Sequence, residues 1–171
     1  DLPINFQEVL KELKAIYNDT IKKVQRVLGQ ANKKFLSKKD LLAVQAQLQG
    51  KISRGEGGPE LYQTISEVAQ ILKIQHAIEL LETQGVSSAT TYMDNLYKQG
   101  QQKKTKAAQK LISDPRFRKA LTLLWKLKDD AIEHPKIPKL LKLTQDILKQ
   151  KEDAKIIIFN NYRDSIVQLH Q

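Results

Sequence analysis

Between Ile4 and Leu28 the apolar residues Phe6, Val9, Leu10, Leu13, Ile16, Tyr17, Ile21, Val24, Val27 and Leu28 recur at intervals of three and four, with polar residues between them. That spacing predicts an amphipathic helix, and Gly29 suits its C-terminal end. Ser37-Lys38-Lys39-Asp40 has the form of a capping box, a hydroxyl at the cap and a carboxylate three residues on. It opens a second helix that carries Leu41, Leu42, Val44 and Leu48 and runs to about Ile52. Ser53-Arg54-Gly55-Glu56-Gly57-Gly58 is the clearest flexible loop in the chain. Pro59 then suits the first position of a long helix reaching Gly85, with Leu61, Ile65, Val68, Ile71, Leu72, Ile74, Ile78 and Leu81 among its apolar residues. Its apolar arc is wide, which predicts a central helix touched by neighbours on several sides.

Ser87 or Ser88 is expected to cap a fourth helix through Tyr92, Met93, Leu96 and Tyr97. Gly100 and the polar run from Gln101 to Lys106 weaken or bend it before Ala107, Ala108, Leu111 and Ile112 resume the pattern. Asp114-Pro115 is a cap and first-turn pair for a fifth helix with Phe117, Leu121, Leu124, Trp125 and Leu127, ending near His134-Pro135. Pro138 opens a sixth, bearing Leu140, Leu141, Leu143, Ile147 and Leu148. The grammar then changes. Within Ala154 to Phe159, the run Ile156-Ile157-Ile158-Phe159 is β-branched and apolar on both faces, as in a buried strand of a parallel sheet, and a loop and helix start follow from Asn160 to Ser165. The expected fold is an all-α bundle of about six helices over residues 1–150, with residues 151–171 as the first strand and helix of a truncated α/β domain. The opening Asp1-Leu2-Pro3-Ile4-Asn5 has no initiator Met and no signal-peptide character, so the chain is expected to begin inside a longer polypeptide.

Charge changes the picture. The net charge is +10, and it is unevenly placed. From Lys98 to Lys128 there are ten bases and one acid, Asp114, a segment of +9. From Gly57 to Tyr97 there are five acids and only Lys73 as a base, a segment of −4. A solvated helix face normally mixes signs, so a long segment of one sign points to a polyanion, with a bland basic surface or an acidic protein partner as the competing readings. Lys103, Lys104, Lys106, Lys110, Arg116, Arg118 and Lys119 are the candidates for phosphate contacts.

Catalytic chemistry is not evident. Without cysteine there is no disulfide, thiol nucleophile or thiolate metal site, which fits an intracellular protein, cytoplasmic in an archaeon or nuclear in a eukaryote. The longest apolar run, Ile156 to Phe159, is far too short to span a membrane. Gly100-Gln101-Gln102-Lys103-Lys104-Thr105 mimics only the tail of a phosphate-binding loop, with no second glycine ahead of the lysines and no preceding strand. His76, His134 and His170 are too scattered to bind zinc, and His76 reads as a packing residue of the long helix. The adjacent pairs Asp129-Asp130 and Glu152-Asp153 do not share a helix face. Trp125, Phe117, Tyr92 and Tyr97 have the chemistry to stack on bases, although their helical spacing favours core packing. Tyr97 and Phe117 are the better stacking candidates because bases surround them.

Taken in order, Asp1-Leu2-Pro3, Ser37 to Leu42, the Pro59 helix, His134-Pro135-Lys136 and Lys155 to Asp164 resemble the helical insertion between the two RecA-like lobes of superfamily 2 helicases of the archaeal Hef and eukaryotic FANCM family. The resemblance covers essentially the whole chain. Its last segment, with Phe159, Asn160, Asn161, Tyr162 and Arg163, is similar to the opening strand and motif IV of the second lobe. Asn160 departs from the Thr or Ser common there, so the hydroxyl contact to a nucleic-acid backbone does not carry over. The region is more weakly similar to the insert of RIG-I-like receptors and Dicer, which act on double-stranded RNA. The first resemblance implies a thumb-like, DNA-binding module that helps an ATP-driven helicase hold forks or four-way junctions during repair. It implies ATP and Mg for the parent protein and no cofactor in this chain, with the flanking lobes and branched DNA as partners. A spacer that couples the lobes, or that meets an acidic protein, is the alternative.

Overall fold

The computed structural model describes residues 4–28, 36–130 and 136–150, and those residues form seven helices and no strand. They are α1 (Ile4–Val27), α2 (Lys38–Ser53), α3 (Pro59–Thr83), α4 (Val86–Gln101), α5 (Lys106–Ser113), α6 (Pro115–Asp129) and α7 (Lys136–Gln150). The all-α expectation holds. The strand expected at Ile156 to Phe159 lies outside the described residues, as do His134 and Pro135.

Helix starts follow local chemistry. At α2 the Ser37 hydroxyl accepts from the Asp40 amide at 3.1 Å while the Asp40 carboxylate accepts from the Ser37 amide at 2.9 Å, a reciprocal box that satisfies two orphan donors. Pro59 occupies the first turn of α3, and Asp114 with Pro115 opens α6, the Asp114 carboxylate accepting from the Arg116 amide at 2.8 Å. The cap expected at Ser87 or Ser88 is not used. Both serines lie inside α4, whose N-cap is Gly85 at φ 96°, a left-handed conformation that lets the chain leave α3 and enter α4 with one residue between Gln84 and Val86.

The long helices α1 and α3 pack along one another, and the rest is arranged on them. One apolar cluster joins Phe6, Leu10 and Leu13 of α1 and Ile74, Ala77 and Leu81 of α3 to Met93, Leu96, Leu111, Phe117, Leu121 and Leu124 from α4, α5 and α6. The other joins Ile21 and Val24 of α1 and Val68 and Ile71 of α3 to Leu36, Leu41, Val44 and Leu48 around α2. Tyr17 packs against both clusters, its hydroxyl donating to the Leu36 carbonyl at 3.4 Å. Full burial of each such side chain stabilises the fold by about 1.5–3 kcal/mol. As its wide apolar arc predicted, α3 is central and touches α1, α2, α4 and α5. It also buries Thr64, Ser66, Glu67 and Gln70, which no apolar pattern announces. By contrast, the apolar residues Leu141, Leu143, Ile147 and Leu148 of α7 are exposed, so the described core of the bundle is built by α1 to α6.

The fourth helix, expected to weaken or bend at Gly100 and the polar run after it, is two helices, α4 and α5, joined by a tight reversal. Gly100, in the last turn of α4, is the point of contact. A Cβ there would lie 2.8 Å from the Ala108 carbonyl oxygen and 2.7 Å from Ile112 Cδ1. The carbonyl belongs to the α5 backbone, so relief requires the two helices to separate. Gly100→Ala is therefore expected to lower stability by about 1–3 kcal/mol, read as a lower urea midpoint with unchanged slope. An unchanged midpoint would show that α5 is free to move away from α4.

Candidate nucleic-acid interface

The seven basic residues singled out from the sequence are divided by the fold into two sets. Arg116 and Lys119 face α1. Lys119 Nζ donates to Glu12 Oε1 at 2.7 Å and to Glu8 Oε1 at 2.9 Å. Arg116 donates through Nη2 to Asp114 Oδ2 at 2.9 Å and through Nε to Asp114 Oδ1 at 3.1 Å, and its Nη1 reaches Asp19 of α1. Glu8 and Glu12 are one turn apart on α1, as Arg116 and Lys119 are on α6, so each helix offers a stripe of one sign to the other. The titration behaviour follows. The hydrogen bonds it donates to Asp114 and Asp19 push the Arg116 guanidinium above its ordinary range, and those donated to Glu12 and Glu8 do the same for Lys119. Lys119 holds Glu8 below the usual carboxylate range, and Arg116 does so for Asp19. Burial pushes the Asp114 carboxyl up, but the side-chain and backbone hydrogen bonds from Arg116 outweigh it and leave the group depressed.

Lys103, Lys104, Lys106, Lys110 and Arg118 are exposed, and none has an acidic partner among the described residues. The first four fall within the α4–α5 turn and on α5. The turn closes in a Schellman pattern, with the Lys104 amide donating to the Gln99 carbonyl at 3.0 Å and the Lys103 amide to the Gly100 carbonyl at 3.1 Å. That pattern needs a left-handed residue, usually glycine; here it is Lys103, at φ 54° and the only non-glycine with positive φ among the described residues. The Thr105 hydroxyl caps α5 by accepting from the Ala108 amide at 3.2 Å. Lys106 then takes the first position of α5, where the helix dipole favours an anion over an ammonium group. Lys106 and Lys110, one turn apart, share a face of that helix. The α4 carbonyl end offsets part of this charge, but four unpaired ammonium groups within eight residues repel one another unless a polyanion lies against them.

Core packing, favoured by the helical spacing, holds for Phe117, Tyr92 and Tyr97, while Trp125 is the exposed one. Phe117 is fully buried in the larger cluster and cannot stack on a base, because positions 117, 120, 121 and 124 form the inward stripe of α6. Tyr97 and Tyr92 are partly buried against the same cluster. Burial pushes the Tyr92 hydroxyl up to about 12, and the ring meets His76 edge to face at 4.7 Å, which makes His76 a packing residue. Trp125 is 43% exposed and its indole N–H donates to Asp94 Oδ1 at 2.9 Å. The signal was present, since residue 125 lies off the 117–121–124 stripe.

A cleft of about 380 Å³ lies beside Arg116, lined by Asp19, Lys23, Glu67, Lys110 and Asp114 among others. Its mixed charges select no ligand. No group of acidic or imidazole side chains among the described residues is arranged to hold a metal ion, and no described helix is long and apolar enough to cross a membrane. The motif IV-like residues Phe159, Asn160, Asn161, Tyr162 and Arg163 lie outside the described residues.

Residues 5–131 match the family model described as "Putative ATP-dependent RNA helicase, helical bundle". The chain is 32% identical, over 99% of its length, to a protein of Methanocaldococcus jannaschii named a putative ATP-dependent RNA helicase, and spans 20% of that protein. It is also similar to the crystal structure of the Pyrococcus furiosus Hef helicase domain, with TM-score 0.84 and 33% identity, over 99% of this chain and 35% of that one.

Two outcomes follow from this geometry. Glycine at position 103 relieves the left-handed lysine, so Lys103→Gly is expected to raise the urea midpoint by the equivalent of up to about 1 kcal/mol; a lower midpoint would refute the strain. The depressed Asp114, Asp19 and Glu8 bind fewer protons in the native state than in the unfolded one, so their stabilisation is full above the ordinary carboxylate range and is lost as pH falls through their native values. Arg116→Gln should flatten the loss of stability between roughly pH 5 and pH 2. Parallel acid limbs for the variant and the wild-type chain would show that the α1–α6 pairs do not control acid unfolding.

Proposed function

The chain belongs to the helicase helical-bundle family, and from that premise we propose that it is a non-catalytic accessory domain that grips branched DNA, a fork or four-way junction, for an ATP-driven helicase acting in repair. The observation that carries this reading is the α4–α5 turn and α5, where Lys103, Lys104, Lys106 and Lys110 stand exposed and without an acidic partner among the described residues. Phosphate contacts from such lysines position a duplex without reading its sequence, which suits recognition of a branch by shape. ATP and Mg²⁺ would act in the flanking RecA-like lobes, since the residues described here include no phosphate-binding loop or metal-binding cluster. DNA as the polymer rests on the resemblance of the sequence to the Hef and FANCM helicases; the description of the family model and the name of the Methanocaldococcus relative point to RNA. Affinities for a fork, a junction, plain duplex, single strand and double-stranded RNA at matched salt test the choice. Equal or tighter binding of double-stranded RNA would replace DNA by RNA in the proposal.

A second reading, a spacer that couples two helicase lobes, is favoured by α7, whose exposed Leu141, Leu143, Ile147 and Leu148 offer an apolar surface that the described bundle does not cover. Salt dependence separates the two. Replacing Lys103, Lys104 and Lys106 with Gln should weaken binding to every DNA sequence about equally and reduce the log-log salt slope by roughly two to three units, at about 0.9 per lost duplex phosphate contact. Lys11, Lys14 and Lys22 of α1 are the matched control, with Lys14 already paired to Glu82 at 3.0 Å. If both triple substitutions reduce affinity and slope alike, net charge rather than the α4–α5 turn drives binding.

A further inference from the structure

We infer that Trp125 is a stacking platform for an unpaired nucleobase. The inference rests on the nucleic-acid reading above, but on a different surface and a different interaction. Trp125 is the only tryptophan of the chain and the one exposed large hydrophobic residue of α6, while its neighbours Leu121, Leu124 and Leu127 are at most 2% exposed. An indole that served the core would lie on their stripe. Instead it lies one residue off, and its polar edge is fixed from another helix: the Nε1–H donates to Asp94 Oδ1 of α4 at 2.9 Å. That bond settles the ring's orientation, so the exposed part of the indole is presented in one pose and little rotamer freedom remains to be lost on contact.

The surroundings identify the ligand chemistry. Arg118 lies two turns before Trp125 on the same exposed stripe of α6, with the exposed Thr122 between them. Lys98 is one turn beyond Asp94 on α4, and Lys126 and Lys128 flank the indole in sequence; all three are exposed. A flat π surface set among cations suits a single strand, whose phosphates meet the cations and whose bases have faces to stack. Asp94 is the carboxylate hydrogen-bonded to the indole, and its charge opposes a phosphate there, as does that of the exposed Asp129 one turn beyond Trp125 on α6; the hydrogen bond to Trp125 accounts for Asp94. Base faces inside a duplex are covered by their own stack, so the site fits an unpaired base, such as a fork or junction exposes where strands separate.

Because Trp125 is unique, its fluorescence reports on this site alone. The 171-residue chain is titrated with a single-stranded oligodeoxynucleotide and with an abasic strand of equal length and charge, while anisotropy of a labelled strand reads binding independently. Stacking predicts quenching by the base-containing strand only, and tighter binding of that strand. Trp125→Ala should weaken the base-containing strand by roughly 5- to 100-fold and leave the abasic strand unaffected, with Trp125→Phe falling between. Asp94→Asn, which keeps an acceptor for the indole and removes the charge, should retain quenching. Binding of both strands with equal affinity and no quenching would overturn the stacking platform while leaving the phosphate-binding reading intact. Binding of neither strand would instead overturn the nucleic-acid reading itself. Equal quenching by polyglutamate would reassign the surface to an acidic protein.

Discussion

The packing of α1 along α3 is the constraint on which the rest depends. Every other helix of the described core takes its place from that pair: α2 closes over its one end with Leu41, Val44 and Leu48, and α4, α5 and α6 close over the other. Tyr17 sits where the two clusters meet, half-buried enough for burial to push its hydroxyl up, and its bond to the Leu36 carbonyl ties the chain entering α2 to α1. A loss of contact between Leu13 and Ile74 levels of the spine would therefore be felt in both halves, which is the behaviour of one cooperative unit with two cores. The same spine explains why α3 buries polar residues. With neighbours on several sides, α3 buries polar side chains that are satisfied within the helix: Thr64 and Gln70 donate to carbonyls of their own helix, and Glu67 accepts from Gln63.

On this frame the positive charge is put to two different uses. Where α6 faces α1, cations meet carboxylates from the first helix at the edge of the buried Phe117, Ala120, Leu121 and Leu124 stripe that turns inward. Where α4 reverses into α5, the cations have no acidic partner among the described residues. The reversal concentrates local penalties: a left-handed lysine, an ammonium group at the start of a helix, and two backbones in contact at a glycine. Penalties gathered in one short segment that packing alone does not require are characteristic of a surface kept for binding.

Much of the frame was legible in the sequence because its signals are local. The Ser37 box, Pro59 and Asp114-Pro115 each act within four residues, and their chemistry admits few alternatives. The division of α4 from α5 was half legible. Gly100 and its polar neighbours marked a weakness, but the close approach to Ala108 that makes it a break is a tertiary fact. The pairing of charges was not legible at all, since Arg116 and Asp19 are 97 residues apart and Lys119 and Glu8 are 111 apart, and nothing in either local pattern names the other. The same blindness moved Phe117 to the core and left Trp125 outside it: both are aromatic residues among bases, and only their phase relative to Leu121 and Leu124 separates them.

That division decides what a salt titration of binding would measure. The α1–α6 ion pairs are solvent-exposed and weaken as salt rises, which raises the question whether added salt loosens the platform along with the phosphate contacts. The apolar contacts argue against it. Phe117, Ala120, Leu121 and Leu124 of α6 share one cluster with Phe6, Leu10 and Leu13 of α1, nearly all of them fully buried, and burial of such surface is not weakened by salt screening. The apolar seam thus sets the orientation of α6 and holds it there at any ionic strength, with the ion pairs along its edge. The α4–α5 turn is carried by the same seam through Leu96 and Leu111. Its lysines stay in position while their attraction for phosphate is screened, so the slope of affinity against salt counts contacts made by a fixed surface.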